Sequence, residues 1–215
     1  MKNDYNKEYF EKYALLSLVY CYDDKLQSMK KHERPDWIDE NRSIGLEVTR
    51  ALSSTDGEIN SIINRYFGKG YSPEEIINKA NSELKCNKDI FKSANGLCYV
   101  VKSVNYSDVK QLIIDTINTK ISKFNSHYDK FNENWLYVFA DSSLLDDGDI
   151  EEIILKINNL GDNSSFDKIF INIIDKIYVI EDNSYSKIDL TDNELARIKR
   201  ESINNNVKKE EKQIL

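Results

Sequence analysis

Two acids stand eleven positions apart in this 215-residue chain, each at the head of a short pattern with chemical potential. Asp36 follows Pro35 in Arg34-Pro35-Asp36-Trp37-Ile38-Asp39-Glu40, and Glu47 opens Glu47-Val48-Thr49 inside Ile44-Gly45-Leu46-Glu47-Val48-Thr49-Arg50. Carboxylate oxygens are the ligands that hard divalent cations prefer, and a Mg²⁺ site needs only one or two of them.

Strands position both acids. Pro35 suits a strand start, Trp37 and Ile38 are strand formers, and Asn41-Arg42-Ser43 supplies a turn into a second strand over residues 44–51. Side chains alternate along a strand, so Leu46 and Val48 share one face while Gly45, Glu47 and Thr49 share the other. If the two strands pair as neighbours, Asp36 lies near Glu47.

Pro35-Asp36 followed by Glu47-Val48-Thr49 resembles the PD-(D/E)XK nuclease superfamily, whose pattern is Pro-Asp, a variable spacer, then an acid, any residue and Lys. The resemblance covers the chain from the opening helix to Ala51. It implies a restriction-endonuclease-like core and a metal-dependent endonuclease or phosphodiesterase acting on nucleic acid. Asp36 and Glu47 would bind Mg²⁺ or Mn²⁺, and an acid of the first helix, Glu8 or Glu11, could join them. The departure is Thr49, which stands where the family has Lys. Losing one electrostatic stabiliser of a transition state costs about 3 kcal/mol. A replacement cation is therefore expected, and Lys102 in the β-rich run Leu97-Cys98-Tyr99-Val100-Val101-Lys102 is the first choice, on a strand neighbouring residues 44–51. A solvated Lys at a strand end remains open. So does the alternative that Thr49 marks a catalytically inactive binding or regulatory module, of phage or defence type, acting through a protein partner.

The remaining elements follow from periodicity and capping. A helix is expected over residues 6–22, with Glu11, Leu15, Leu18 and Tyr22 on one stripe; Glu11 is then a metal ligand or a solvated first-turn acid. Capping boxes at Thr55-Asp56-Gly57-Glu58 and Ser72-Pro73-Glu74-Glu75 open two short helices of an insertion over residues 52–94, with Glu58 given a capping role. Between them Tyr66-Phe67-Gly68-Lys69-Gly70-Tyr71 is either a base-stacking loop or an ordinary connection. A long helix over residues 107–131 carries the apolar stripe Val109, Leu112, Ile113, Ile117, Ile121, Phe124, Tyr128 and Phe131. Lys120, Lys123, His127 and Lys130 line its flank, and either guide a phosphate backbone or answer the helix dipole.

Trp135-Leu136-Tyr137-Val138-Phe139-Ala140 reads as a strand buried on both faces. A helix from about Asp149, strands over 166–174 and 176–181, and a last helix opened by Thr191-Asp192-Asn193-Glu194 complete the order. The expected fold is a three-layer α/β/α domain over residues 1–203 with a central mixed sheet, followed by a charged, frayed tail over 204–215.

Composition restricts the function classes. A net charge of −7 argues against a protein that coats nucleic acid by bulk electrostatics, yet permits an enzyme with a local basic strip. Cys21, Cys86 and Cys98 lack zinc or disulfide spacing, and neither His32 nor His127 has a partner at ligand spacing. No apolar run reaches the length of a membrane span and no signal core opens the chain, so a cytoplasmic protein without membrane partners is expected.

Overall fold

The computed structural model describes residues 7–52, 65–66, 70–83, 90–92, 98–100, 106–140, 145–158 and 166–203. The chain divides into two compact units, a larger one from Asp4–Ala51 and Tyr106–Leu215 and a smaller one built on Leu52–Asn105.

The larger unit opens with helix α1 (Lys7–Cys21), a short 3₁₀ turn (Asp24–Ser28) and three strands, β1 (Lys30–Lys31), β2 (Trp37–Asp39) and β3 (Ile44–Ala51). In the smaller unit lie helix α2 (Pro73–Glu83) and a two-stranded antiparallel sheet of β4 (Ile90–Lys92) and β5 (Cys98–Val100). The larger unit then resumes with α3 (Tyr106–His127), β6 (Glu133–Ala140), α4 (Asp147–Asn158), β7 (Lys168–Asn172), β8 (Lys176–Glu181), β9 (Ser184–Asp189) and α5 (Asp192–Ile203). Among the described residues no helix is long and apolar enough to cross a membrane.

Seven strands form one mixed sheet in the order β1-β2-β3-β6-β7-β8-β9. The outer pairs are antiparallel, and β3, β6 and β7 run parallel at the centre. The two parallel crossovers carry α3 and α4, and because such connections are right-handed both helices land on the same face of the sheet. Ile113 and Ile117 of α3 and Ile150 and Ile153 of α4 accordingly share one buried cluster with Leu136, Val138 and Ile171. The other face buries α1 and α5, where Leu15, Leu18 and Ile198 meet Leu46, Val48, Tyr137 and Phe170. This is a three-layer α/β/α arrangement. Alternate residues of β6 fall into the two clusters, Trp135, Tyr137 and Phe139 on one side and Leu136, Val138 and Ala140 on the other. Its uninterrupted apolar run is thereby explained.

Local chemistry sets the element boundaries. Ser72 and Glu75 exchange capping hydrogen bonds at 2.8 and 3.3 Å, as do Thr191 and Glu194 at 2.7 and 3.3 Å. The Thr55 box and Glu58 lie outside the described residues, as do 67–69 of the aromatic loop. Strand β9 has no counterpart in the sequence reading. Its hairpin to β8 turns on Asp182 and Asn183, at φ 48° and 63°, the paired positive angles of a two-residue turn that Asp and Asn tolerate. At the opposite edge β1 is two exposed lysines, and four of the six residues of β9 are exposed.

Two expectations are corrected. Cys98–Val100 is not the neighbour of β3; it pairs with Ile90–Lys92 in the separate small sheet, while the free side of β3 is taken by the doubly buried β6. Lys102 itself lies outside the described residues. The segment marked off from the main sheet extends over Leu52–Asn105 and is not wholly helical, because it includes β4 and β5.

One glycine permits a close approach that the site needs. A Cβ at Gly45 would lie 2.7 Å from Phe131 Cδ2 and 2.8 Å from Pro35 Cγ, so both rings rest against bare backbone of β3. Neither ring can bend aside as a flexible side chain would. Gly45→Ala is expected to destabilise the protein by about 1–3 kcal/mol, the usual cost of overpacking, as a lowered midpoint in urea unfolding. An unchanged midpoint would show that the contact is not tight.

Candidate functional site

The site begins with the register of β2 against β3. Trp37 faces Leu46 and Ile38 faces Gly45, so Asp36, one step before β2, comes alongside the Glu47–Val48 stretch of β3. The backbone carbonyl of Asp36 accepts the His32 amide at 2.9 Å. Its side chain turns to β3, where Oδ2 accepts the Val48 amide at 2.9 Å, satisfying a backbone donor beyond the end of the β2 ladder. The Arg34–Pro35 peptide is cis.

Helix α1 adds a third acid. Glu11 is only 3 % exposed, beside Asp36 at 3 % and Glu47 at 5 %. The solvated first-turn alternative for Glu11 therefore fails: the stripe that carries Leu15 and Leu18 into the core carries Glu11 in with them. Glu8 stays exposed. The carboxyls of Glu11 and Asp36 come within hydrogen-bonding reach of each other when one of them carries a proton. The indole of Trp37 donates to the Glu11 carbonyl at 3.0 Å and ties α1 to the start of β2.

Burial of three acids together is offset by cations from three elements. Lys7 of α1 lies 3.1 Å from Glu11 Oε1 and 3.5 Å from Asp36 Oδ1. Lys31 of β1 donates to Glu11 Oε2 and also stands 4.9 Å from the centre of the Trp37 ring. Lys120 of α3 donates to Glu47 Oε1, which also accepts the Tyr128 hydroxyl at 2.8 Å.

Electrostatics separates the acids. Burial, then the negative charge of Glu47, then the bond to Glu11 push the Asp36 carboxyl up to about 7. Burial would raise Glu11 too, but the bond from Asp36 and those from Lys31 and Lys7 outweigh it and carry Glu11 below the usual carboxylate range. The pair thus favours a protonated Asp36 donating to an ionised Glu11. Burial and the bond to Glu47 raise the Tyr128 hydroxyl, which stays a neutral donor.

The basic flank expected on α3 is broken up. Lys120 turns inward to the buried Glu47, its side chain 17 % exposed, because a buried carboxylate in the sheet needs a partner more than the helix end does. The helix stops at His127, so Lys130 lies past it with its amine 5.6 Å from the centre of the Phe124 ring. Lys123 and His127 are exposed, and His127 Nδ1 bonds the Ser126 hydroxyl. Tyr128 and Phe131, assigned by periodicity to the apolar stripe, also lie past the helix. They serve the site through Glu47 and Gly45. Thr49 is half-buried on the strand that bears Glu47. In the sequence, Lys120 and Tyr128 share the spacing of one helix face, but nothing local to them shows that Glu47 lies across from it.

Among the described residues no three acidic, histidine or cysteine side chains form a ready-made metal cage. The donor set still suits Mg²⁺ or Mn²⁺: the acids offer hard oxygens only, and Mg²⁺ usually takes one or two carboxylates with water and substrate phosphate filling the rest. Asp36 and Glu47 would hold the ion, with Glu11 bracing Asp36. No protein-family model, curated protein or solved structure matches this chain, so its α/β/α fold and its site stand on their own geometry.

The raised Asp36 gives a pH test. A carboxyl at 3.8 unfolded and about 7 folded binds its proton more tightly in the native state, so its contribution to stability is full below the unfolded value and is lost as pH rises toward 7. Asp36→Asn has no such titration. In EDTA, wild type should lose about 2 kcal/mol relative to D36N between pH 5 and pH 8 in denaturant melts. A difference that does not vary with pH would show that Asp36 does not titrate in this window.

Proposed function

We propose that the protein is a metal-dependent phosphodiesterase of the PD-(D/E)XK type acting on nucleic acid, with Lys120 in the role that Thr49 leaves vacant. The observation that carries this reading is the contact of the Lys120 amine with Glu47, the acid of Glu47-Val48-Thr49. A helix supplies to that carboxylate the cation that the strand pattern lacks.

A bound Mg²⁺ or Mn²⁺ supplies a Lewis acid at the phosphoryl oxygen and lowers the pKa of the attacking water. Glu47 and Asp36 would hold it, Asp36 giving up its proton to do so, with Glu11 close beside Asp36. Tyr128 keeps the Glu47 carboxylate oriented. Lys120 places positive charge beside the reacting phosphate, where negative charge develops. Water adds to phosphorus, the P–O bond to the leaving sugar oxygen breaks, and that oxygen leaves with a proton. Lys123, His127 and Lys130 remain available to the flanking backbone as exposed side chains.

Cleavage of a panel of single- and double-stranded DNA and RNA in Mg²⁺ or Mn²⁺ should be abolished by EDTA and by Glu47→Ala. Lys120→Ala should lower the rate by about two to three orders of magnitude while the fold persists by circular dichroism. No cleavage of any substrate with either ion would reject the reading in favour of an inactive nuclease-like module with a protein partner. Cleavage indifferent to K120A would remove Lys120 from the mechanism.

A further inference from the structure

The three lysines at the acids are not equivalent. The Lys120 side chain is mostly buried, and Lys31 is held twice, by Glu11 and by the face of Trp37. The side chain of Lys7 is 80 % exposed, although its amine spans Glu11 Oε1 at 3.1 Å and Asp36 Oδ1 at 3.5 Å. An ammonium between two carboxylates occupies the ground a bridging or neighbouring cation would need. Because the Lys7 stem lies in solvent, the amine can leave without opening any packed contact. Lys31 cannot leave so freely.

From this arrangement we infer that Lys7 is a displaceable internal counter-ion: it pairs with Glu11 and Asp36 in the metal-free protein, competes directly with a divalent cation, and swings into solvent when the cation binds. The inference rests on the metal-site reading above and adds a residue that weakens metal binding to it. It follows that the site exchanges one cation for another and is never left as bare buried charge. Lys120, on the far acid, remains in place during the exchange.

The test is Mn²⁺ affinity measured by calorimetry at neutral pH and low salt on the full chain, without substrate. Lys7→Met removes the competitor while retaining an unbranched side chain. It should bind Mn²⁺ about two- to five-fold more tightly than wild type, the range set by the worth of an exposed ion pair. Lys7→Arg, which keeps the charge, should bind no more tightly than wild type. Lys30→Met is the control for net charge, since Lys30 pairs with Glu40 and its side chain is 69 % exposed; it should leave the affinity unchanged. Equal or weaker binding by K7M, or an equal gain in K30M, would overturn the role of Lys7 and leave the metal site standing. Absence of Mn²⁺ binding in wild type and K7M alike would overturn both.

Discussion

Three buried carboxylates, Glu11, Asp36 and Glu47, are the constraint around which the larger unit is organised. A buried carboxylate is costly if left alone, and the chain meets this with amines drawn from α1, β1 and α3. That requirement joins elements far apart in sequence. Helix α1 must sit where Glu11 meets Asp36, and α3 must lie against β3 at the height where Lys120 reaches Glu47. Gly45 must lack a side chain so that Pro35 and Phe131 can close down on the strand.

The site also lies at a seam in the sheet. Strand β3 has an antiparallel neighbour, β2, on one side and a parallel one, β6, on the other. On the antiparallel side the short β2 ends early, so the Val48 amide is free to take the Asp36 carboxylate. The parallel side requires a crossover helix, and the C-terminal half of that helix is what delivers Lys120 and, just beyond it, Tyr128. A wholly antiparallel sheet would have offered Glu47 no such helix. The acid and its cation are thus brought together by the change in strand direction.

Much of this was legible in the residues. The pairing of the two short strands after Pro35 was read from the turn at Asn41-Arg42-Ser43, the unbroken run of Trp135 to Ala140 gave the central strand, and Ser72 and Thr191 gave helix starts that their hydrogen bonds match. What was not legible depends on long-range pairing. Strand order placed β6, not the Cys98 run, beside β3, because apolar runs of similar composition do not encode which of them is the neighbour. Lys120 read as one of four cations on a helix flank, since only the sheet shows that Glu47 waits opposite. Glu11 read as a solvated first-turn acid before it read as a ligand, and its burial was decided by how α1 lies on Trp37. Strand β9 was missed because its six residues are largely polar, as befits an outer strand with little to bury.

The two outer strands of the sheet have a further consequence. At one border stand Lys30 and Lys31, a strand of two residues; at the other, Ser184, Ser186, Lys187 and Asp189 of β9 face water. An open border of a sheet offers unpaired amides and carbonyls to any passing chain, and a second copy that docked there would bring its own border lysines against these. The brevity of one strand and the polarity of the other thus guard an apolar central sheet against templating fibrous aggregates, a protection that comes from its margins and does not involve the acids at its centre.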